Sequence, residues 1–182
     1  MNESDEHAAF IERLRRSGIR VDREGRFIHE GAEVTHAGLR QALFRWLDRL
    51  PPPDDRYVLR LDGRRFAYLD VDDTPLVARA ARIDPEGTIW LALSDGAEEA
   101  LNPNTLTVDG AGILRAWVRG GRLEARLATS AIAELGELLT EMPDGFPALR
   151  VAGKTVEIPP RGALTELGSA ERSPSRGGKR NL

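Results

Sequence analysis

Apolar residues in this chain gather in short runs cut by glycine, proline and Asp-Gly pairs, the punctuation of an antiparallel β-rich protein. Only a few stretches carry the period of a helix. The first of these spans residues 3–17, where Phe10, Ile11 and Leu14 share a stripe. Glu6 and Glu12 come early in it, Arg13, Arg15 and Arg16 late, and Gly18 follows, which predicts a short N-terminal helix. In IRVDREGRFIHEGAEV the turn residues Asp22 to Gly25 separate Ile19, Val21, Phe27 and Val34, predicting two or three short strands. Thr35 is the expected N-cap of the best helix, carrying Leu39, Leu43, Trp46 and Leu50 at helical spacing, and Pro51, Pro52 and Pro53 forbid its continuation.

Beyond the prolines, YVLRL and RRFAYLDV flank Asp62-Gly63 as a hairpin. LVARAARI and TIWLAL flank Asp84-Pro85-Glu86-Gly87, a type I turn by composition. LVARAAR alone also suits a helix; its place before a turn and a second strand favours β. From residue 105 the order begins again. LTVDGAG reads as strand and turn, and ILRAWVRGGRLEARL as a hairpin around Gly120-Gly121. A helix capped by Thr129 or Ser130 carries Ile132, Leu135, Leu139 and Met142 until Pro143 stops it, and ALRVAGKTVEI forms a last hairpin.

Set against residues 19–71, residues 105–158 repeat the sequence of strands, capped helix, proline stop and hairpin, at an offset of roughly ninety residues. That is longer than solenoid periods of about 20–50 and points to two copies of one unit. The expected fold class is therefore α+β: two similar tandem units of short strands, one helix and antiparallel hairpins. The expected division is an N-terminal helix at 1–18, a first unit at 19–104, a second at 105–160, and a disordered basic tail at 161–182. That tail is rich in Gly, Ser and Arg and holds Arg161, Arg172, Arg176, Lys179 and Arg180.

Composition narrows function mainly by exclusion. The 182 residues carry 26 basic and 29 acidic side chains, a net charge of −3 that gives no reason to expect nucleic-acid binding, although a basic tail can touch nucleic acid non-specifically. Absence of cysteine removes disulfides, zinc thiolates, iron–sulfur clusters and a thiol nucleophile. No apolar run approaches the roughly 18 residues of a membrane span, and the opening MNESDEHAAF is unlike a secretory signal, so a cytoplasmic location is expected. There is no GxSxG elbow, Walker loop, GxGxxG or kinase signature, and no cofactor is expected.

Three groupings hold candidate chemistry. His29, Glu30 and His36 are metal-ligating types, but His-Glu is followed by Gly31 and the next histidine lies seven residues on, so the zincin spacing fails and a hairpin tip is the simpler reading. Asp70, Asp72 and Asp73 gather carboxylates before Thr74-Pro75 without the ligand series of an EF-hand, and Asp-Thr-Pro is ordinary turn chemistry. Arg60, Arg64, Arg65, Arg79 and Arg82 lie on adjacent expected strands and suit phosphate or carboxylate. Arginine is nonetheless this chain's default cation, since lysine occurs only at Lys154 and Lys179, and most of these are expected to be solvated. Trp46, Trp90 and Trp117 each sit in an apolar period and are expected in the core.

Gly25-Arg26-Phe27-Ile28-His29-Glu30-Gly31, a capped helix, and then Asp70-Val71-Asp72-Asp73-Thr74-Pro75-Leu76-Val77 together resemble the bacterial domain-of-unknown-function family 1285. That family shows a Trp-Phe-His-Glu-Gly-like and a Val-Glu-Asp-Ala-Pro-Phe-like segment. Leu123-Glu124-Ala125-Arg126-Leu127 before a helix adds to the likeness, which runs from about Ile19 to Ile158. Ile28 stands where an aromatic is typical, and Asp72, Thr74 and Leu76 stand for Glu, Ala and Phe, as in a divergent member. The resemblance implies two α+β subdomains in tandem, a suggested part in signalling or regulation and no established activity.

The expected function is a non-enzymatic binding or regulatory protein whose inter-unit cleft or sheet face recognises a small anionic ligand or a protein partner. His29, Glu30, Asp72, Asp73 and Arg79 are its candidate ligand-binding residues. The alternative is a metal-assisted hydrolase built from His29, Glu30, His36 and Asp70 to Asp73. An exposed edge strand would make a homodimer plausible.

Overall fold

The computed structural model describes residues 15–163. The first sheet draws on β1 (Arg16–Val21), β2 (Phe27–His29), β3 (Ala32–Glu33), β4 (Leu47–Arg49), β5 (Tyr57–Arg60) and β6 (Phe66–Val71), with helix α1 (Ala37–Trp46) between β3 and β4. The second draws on β7 (Leu76–Ile83), β8 (Ile89–Leu93), β9 (Glu98–Ala100), β10 (Leu106–Val108), β11 (Leu114–Val118) and β12 (Leu123–Leu127), with a 3-10 turn at Pro103–Thr105 between β9 and β10. Helix α2 (Thr129–Glu134) then leads to a three-stranded sheet of β13 (Leu139–Glu141), β14 (Pro147–Val151) and β15 (Lys154–Glu157).

The two large sheets share one plan. Strand order is β3-β2-β1-β6-β5-β4 in one and β9-β8-β7-β12-β11-β10 in the other, with three strands stepping outward from the centre and three stepping back. The only parallel strand pairings within the two sheets, among the described residues, are the central ones, β1 with β6 and β7 with β12. Two similar units are therefore present, but their residues differ from the expected match of 19–71 with 105–158. Here β1–β6 answers to β7–β12, about sixty residues on. Arg20-Val21-Asp22-Arg23-Glu24-Gly25 and Arg82-Ile83-Asp84-Pro85-Glu86-Gly87 occupy equivalent turns.

In both turns the aspartate does the same work. Asp22 Oδ1 accepts from the N–H of Glu24 and Arg26, and Asp84 Oδ1 from that of Thr88. Gly25 and Gly87, at φ of 76° and 85°, donate back to the Asp22 and Asp84 carbonyls, a left-handed backbone that only glycine adopts cheaply. The expected join at 104/105 lies inside the second sheet; the chain changes sheets between Val71 and Leu76.

Inward-facing positions are apolar. The β8 run Ile89-Trp90-Leu91-Ala92-Leu93 buries its first, third and fifth residues, as a pleated strand with one core face must. A single apolar cluster runs through both sheets, from Val21, Phe27 and Leu43 to Leu91, Ala125, Leu127, Leu135 and Leu149.

Several local expectations are corrected. The part of the N-terminal helix expected at residues 3–14 lies outside the described residues, and Arg16 already opens β1. There Ser17 donates its hydroxyl to the Tyr68 carbonyl at 2.6 Å. The N-cap of α1 is His36, not Thr35: its Nδ1 accepts from the Leu39 N–H at 3.1 Å. Neither Thr129 nor Ser130 caps α2, since Ala128 is at the N-cap. Ser130 instead donates to the Arg79 carbonyl and Glu134 accepts from the Ala81 N–H, fastening α2 to β7. That helix ends at Glu134, so Leu139 belongs to a strand and Pro143 stops no helix. LVARAAR is β, because β7 is claimed on one side by β8 and on the other by β12.

Candidate functional site

Alternation along β11 and β12 produces a second face on the second sheet. Leu114, Ala116, Val118, Leu123, Ala125 and Leu127 point one way; Arg115, Trp117, Glu124 and Arg126 point the other, with Trp117 opposite Glu124, Arg115 opposite Arg126, and Thr107 on β10 opposite Arg115. This polar face is not left to water. Arg115 is 3% exposed and Glu124 5%. It is covered by the β4–β5 end of the first sheet, by Asp73 from the passage between sheets, and by the segment after β15, which runs beside β10 through a Val108–Pro160 bridge.

The buried charges are paired, as their desolvation demands. Asp73 Oδ1 accepts from Arg115 Nε at 2.9 Å and Nη2 at 2.7 Å, and from Arg161 Nη1 at 3.2 Å. Asp109 Oδ2 accepts from Arg115 Nη1 at 2.8 Å. The Asp109 carboxyl is held down to about 2 by the Ile113 N–H and by the Arg115 guanidinium. Arg161 also donates through Nε and Nη2 to the two Glu124 oxygens at 3.3 and 2.6 Å. This corrects the division at 161: Arg161 belongs to the folded body, its N–H donating to the Val108 carbonyl.

Between these layers lies a cavity of about 220 Å³ lined by Arg49 and Tyr57 from the first sheet, Thr107, Trp117 and Glu124 from the second, and Arg161 with Gly162. Arg49 and Tyr57 face each other across β4 and β5. The Arg49 guanidinium lies 4.5 Å over the Trp117 ring and donates through Nη2 to Asp55 at 2.7 Å. Burial, with the Glu124 charge nearby, pushes the Tyr57 hydroxyl up to about 12, so it stays protonated at neutral pH. Thr107 Oγ1 is buried and has no hydrogen-bond partner among the described residues, an exception to the rule that buried polar atoms are satisfied. Trp117 is thus a cavity wall and not the core residue expected; of the three tryptophans Trp46 packs against the apolar cluster, while Trp90 and Trp117 are half-buried outside it.

The residues singled out from sequence are dispersed. His29 and Glu30 form an exposed hairpin tip with Gly31, Glu30 at φ 51° and Gly31 at 82°, and His29 pairs with Ala32. Asp72 is exposed and paired with Arg20. Arg79 is exposed on β7. Asp73 reaches the cavity wall through Arg161, and none of the five lines the cavity itself. Among the described residues no group of three His, Asp or Glu is placed to hold a metal, which removes the convergence that the hydrolase alternative needs, and His36 is occupied as a cap. Arg60, Arg65 and Arg82 pair with Asp48, Asp62 and Glu98 at the surface. Trp117 on an otherwise charged strand face was the available sequence signal for the cavity: an aromatic there has no reason to alternate with Arg unless that face is covered.

No family model matches the sequence, and no curated protein matches it. Solved structures do share the fold. A DUF1285 family protein from Silicibacter pomeroyi DSS-3 superimposes with a TM-score of 0.64 at 22% identity, covering 84% of each chain. A DUF1285 family protein from Shewanella baltica OS155 gives a TM-score of 0.54 at 15% identity over 65% of this chain and 90% of that one. No helix among the described residues is long and apolar enough to cross a membrane.

Proposed function

We propose that this chain, DUF1285-like in fold, is a non-enzymatic binding protein that takes a small ligand bearing an anionic group into the cavity between its two units, with a regulatory role, in the cytoplasm. The units divide between Val71 and Leu76, and the cavity lies where both contribute walls. The observation that carries the reading is the cavity wall itself, where Thr107, whose buried hydroxyl has no partner among the described residues, stands with Arg49, whose Nε and Nη1 donate to none of them. Ligand sites are concave and join an apolar wall to a few converging polar groups, as Trp117 and Tyr57 do here with Arg49, Arg161 and Thr107. The cytoplasmic location rests on the sequence's composition, and the regulatory role on the family resemblance.

Thr107→Val tests it. Replacing the unpartnered hydroxyl with a methyl is expected to stabilise the free protein by about 1 kcal/mol, raising Tm by roughly 2–4 °C, while abolishing the thermal shift given by small carboxylates. A wild-type protein whose Tm moves with no carboxylate or phosphate in a screen would turn the assignment toward a protein partner.

A further inference from the structure

Resting on that reading of the cavity, we infer that its ligand is a small zwitterion, an α-amino acid or close analogue, and not a simple anion. The wall carries both signs: Arg49 and Arg161 are cationic, and Glu124 places a carboxylate that is 5% exposed in the same lining. Among the described residues Glu124 accepts hydrogen bonds from Arg161 alone, Nε to Oε1 and Nη2 to Oε2, so lone pairs on both oxygens remain for a further donor. A plain anion entering beside Glu124 meets a like charge on a side chain that is itself buried, where such repulsion is stronger than in open water. A ligand ammonium converts that repulsion into attraction.

The ligand carboxylate has its own partners. Among the described residues Arg49 spends Nη2 on Asp55 and keeps Nε and Nη1, and the Thr107 hydroxyl has no partner. Size narrows the class further. A volume of about 220 Å³ suits a ligand of amino-acid size, up to about leucine.

Calorimetric titration of the full chain with glycine, L-alanine, L-valine and L-leucine, and with 4-methylpentanoate and 3-methylbutylamine as leucine lacking its amine or its carboxylate, tests the inference. At least one amino acid is expected to bind, and L-leucine, if it is that one, at least about tenfold tighter than either truncated form; for another best binder its own des-amino acid and amine are compared. Glu124→Gln is expected to erase the preference for the amino acid over its des-amino acid. An acid that binds as tightly as its parent amino acid overturns the zwitterion and leaves the anion site standing. If neither amino acids nor acids bind, the cavity reading falls with it. The wild-type ligand series decides these outcomes even if the variant is poorly folded.

Discussion

Two sheets of one plan solve the covering of their apolar faces differently. In the first unit the connection between β3 and β4 is a ten-residue helix, whose Leu43 is buried and whose Phe44 packs edge-on against Phe27 at 4.8 Å. In the second unit the equivalent connection, β9 to β10, is a 3-10 turn, and the cover arrives after β12 as α2, fastened to β7 by Ser130 and Glu134. An apolar sheet face must be buried, but the rule does not say which segment buries it. Once the helix has moved, the long return of the chain through the third sheet becomes free to lay Arg161 over the opposite face. The second unit thereby encloses Arg115 and Glu124, and the cavity lies beside them.

Charge deletion sharpens this contrast most. Arg115→Ala removes the two-pronged partner of buried Asp73, leaving it Arg161, and the guanidinium partner of Asp109, and is expected to cost about 3 kcal/mol in urea unfolding. Arg60→Ala removes a partner of Asp48 in the first unit, at an exposure of 29%, and should cost no more than about 1 kcal/mol. Equal losses would show that the second face is not enclosed.

The matched glycines come next. Gly25→Ala meets both a left-handed backbone and Val77 Cγ2 at 3.0 Å across the units, for an expected loss of about 2–4 kcal/mol. Gly87→Ala meets the backbone strain alone, with open space around it, for about 1–2 kcal/mol. A reversed order in thermal melts would break the inter-unit contact at Gly25.

The smallest effect is acid sensitivity. Asp109 is depressed from an ordinary 3.8 to about 2, so the ionised form is favoured in the folded chain. The stability it contributes is full above pH 4 and is lost as pH falls through 2. Asp109→Asn is expected to be less stable at pH 7 and to show a shallower loss between pH 4 and pH 2 in acid titrations followed by circular dichroism. An unchanged slope would place the acid response elsewhere.

Much of the local structure was legible. Asp-Gly and Asp-x-Glu-Gly marked hairpins because a short carboxylate can take the N–H groups of a tight turn wherever it sits. His-Glu-Gly reads as a hairpin tip because of its glycine, and Gly31 takes a φ of 82° there. The helices, the most conspicuous elements, suggest the wrong match between the copies, because the repeat resides in the strands and in Arg-Val-Asp against Arg-Ile-Asp. The cavity was hidden for a different cause: Arg115, Glu124 and Arg126 alternate with apolar residues just as solvent-facing residues do.

Chain order and period-two alternation were enough to settle that the protein is built of short strands, where most of its turns fall, and which side of each strand is apolar, since these depend on neighbours within a few residues. Which strands pair in parallel at the centre of each sheet, which helix covers which sheet, and whether a row of charges meets water or a cavity depend on residues far apart, such as Asp73, Arg115 and Arg161. Burial is a property of what lies opposite, and only the assembled fold brings that into place.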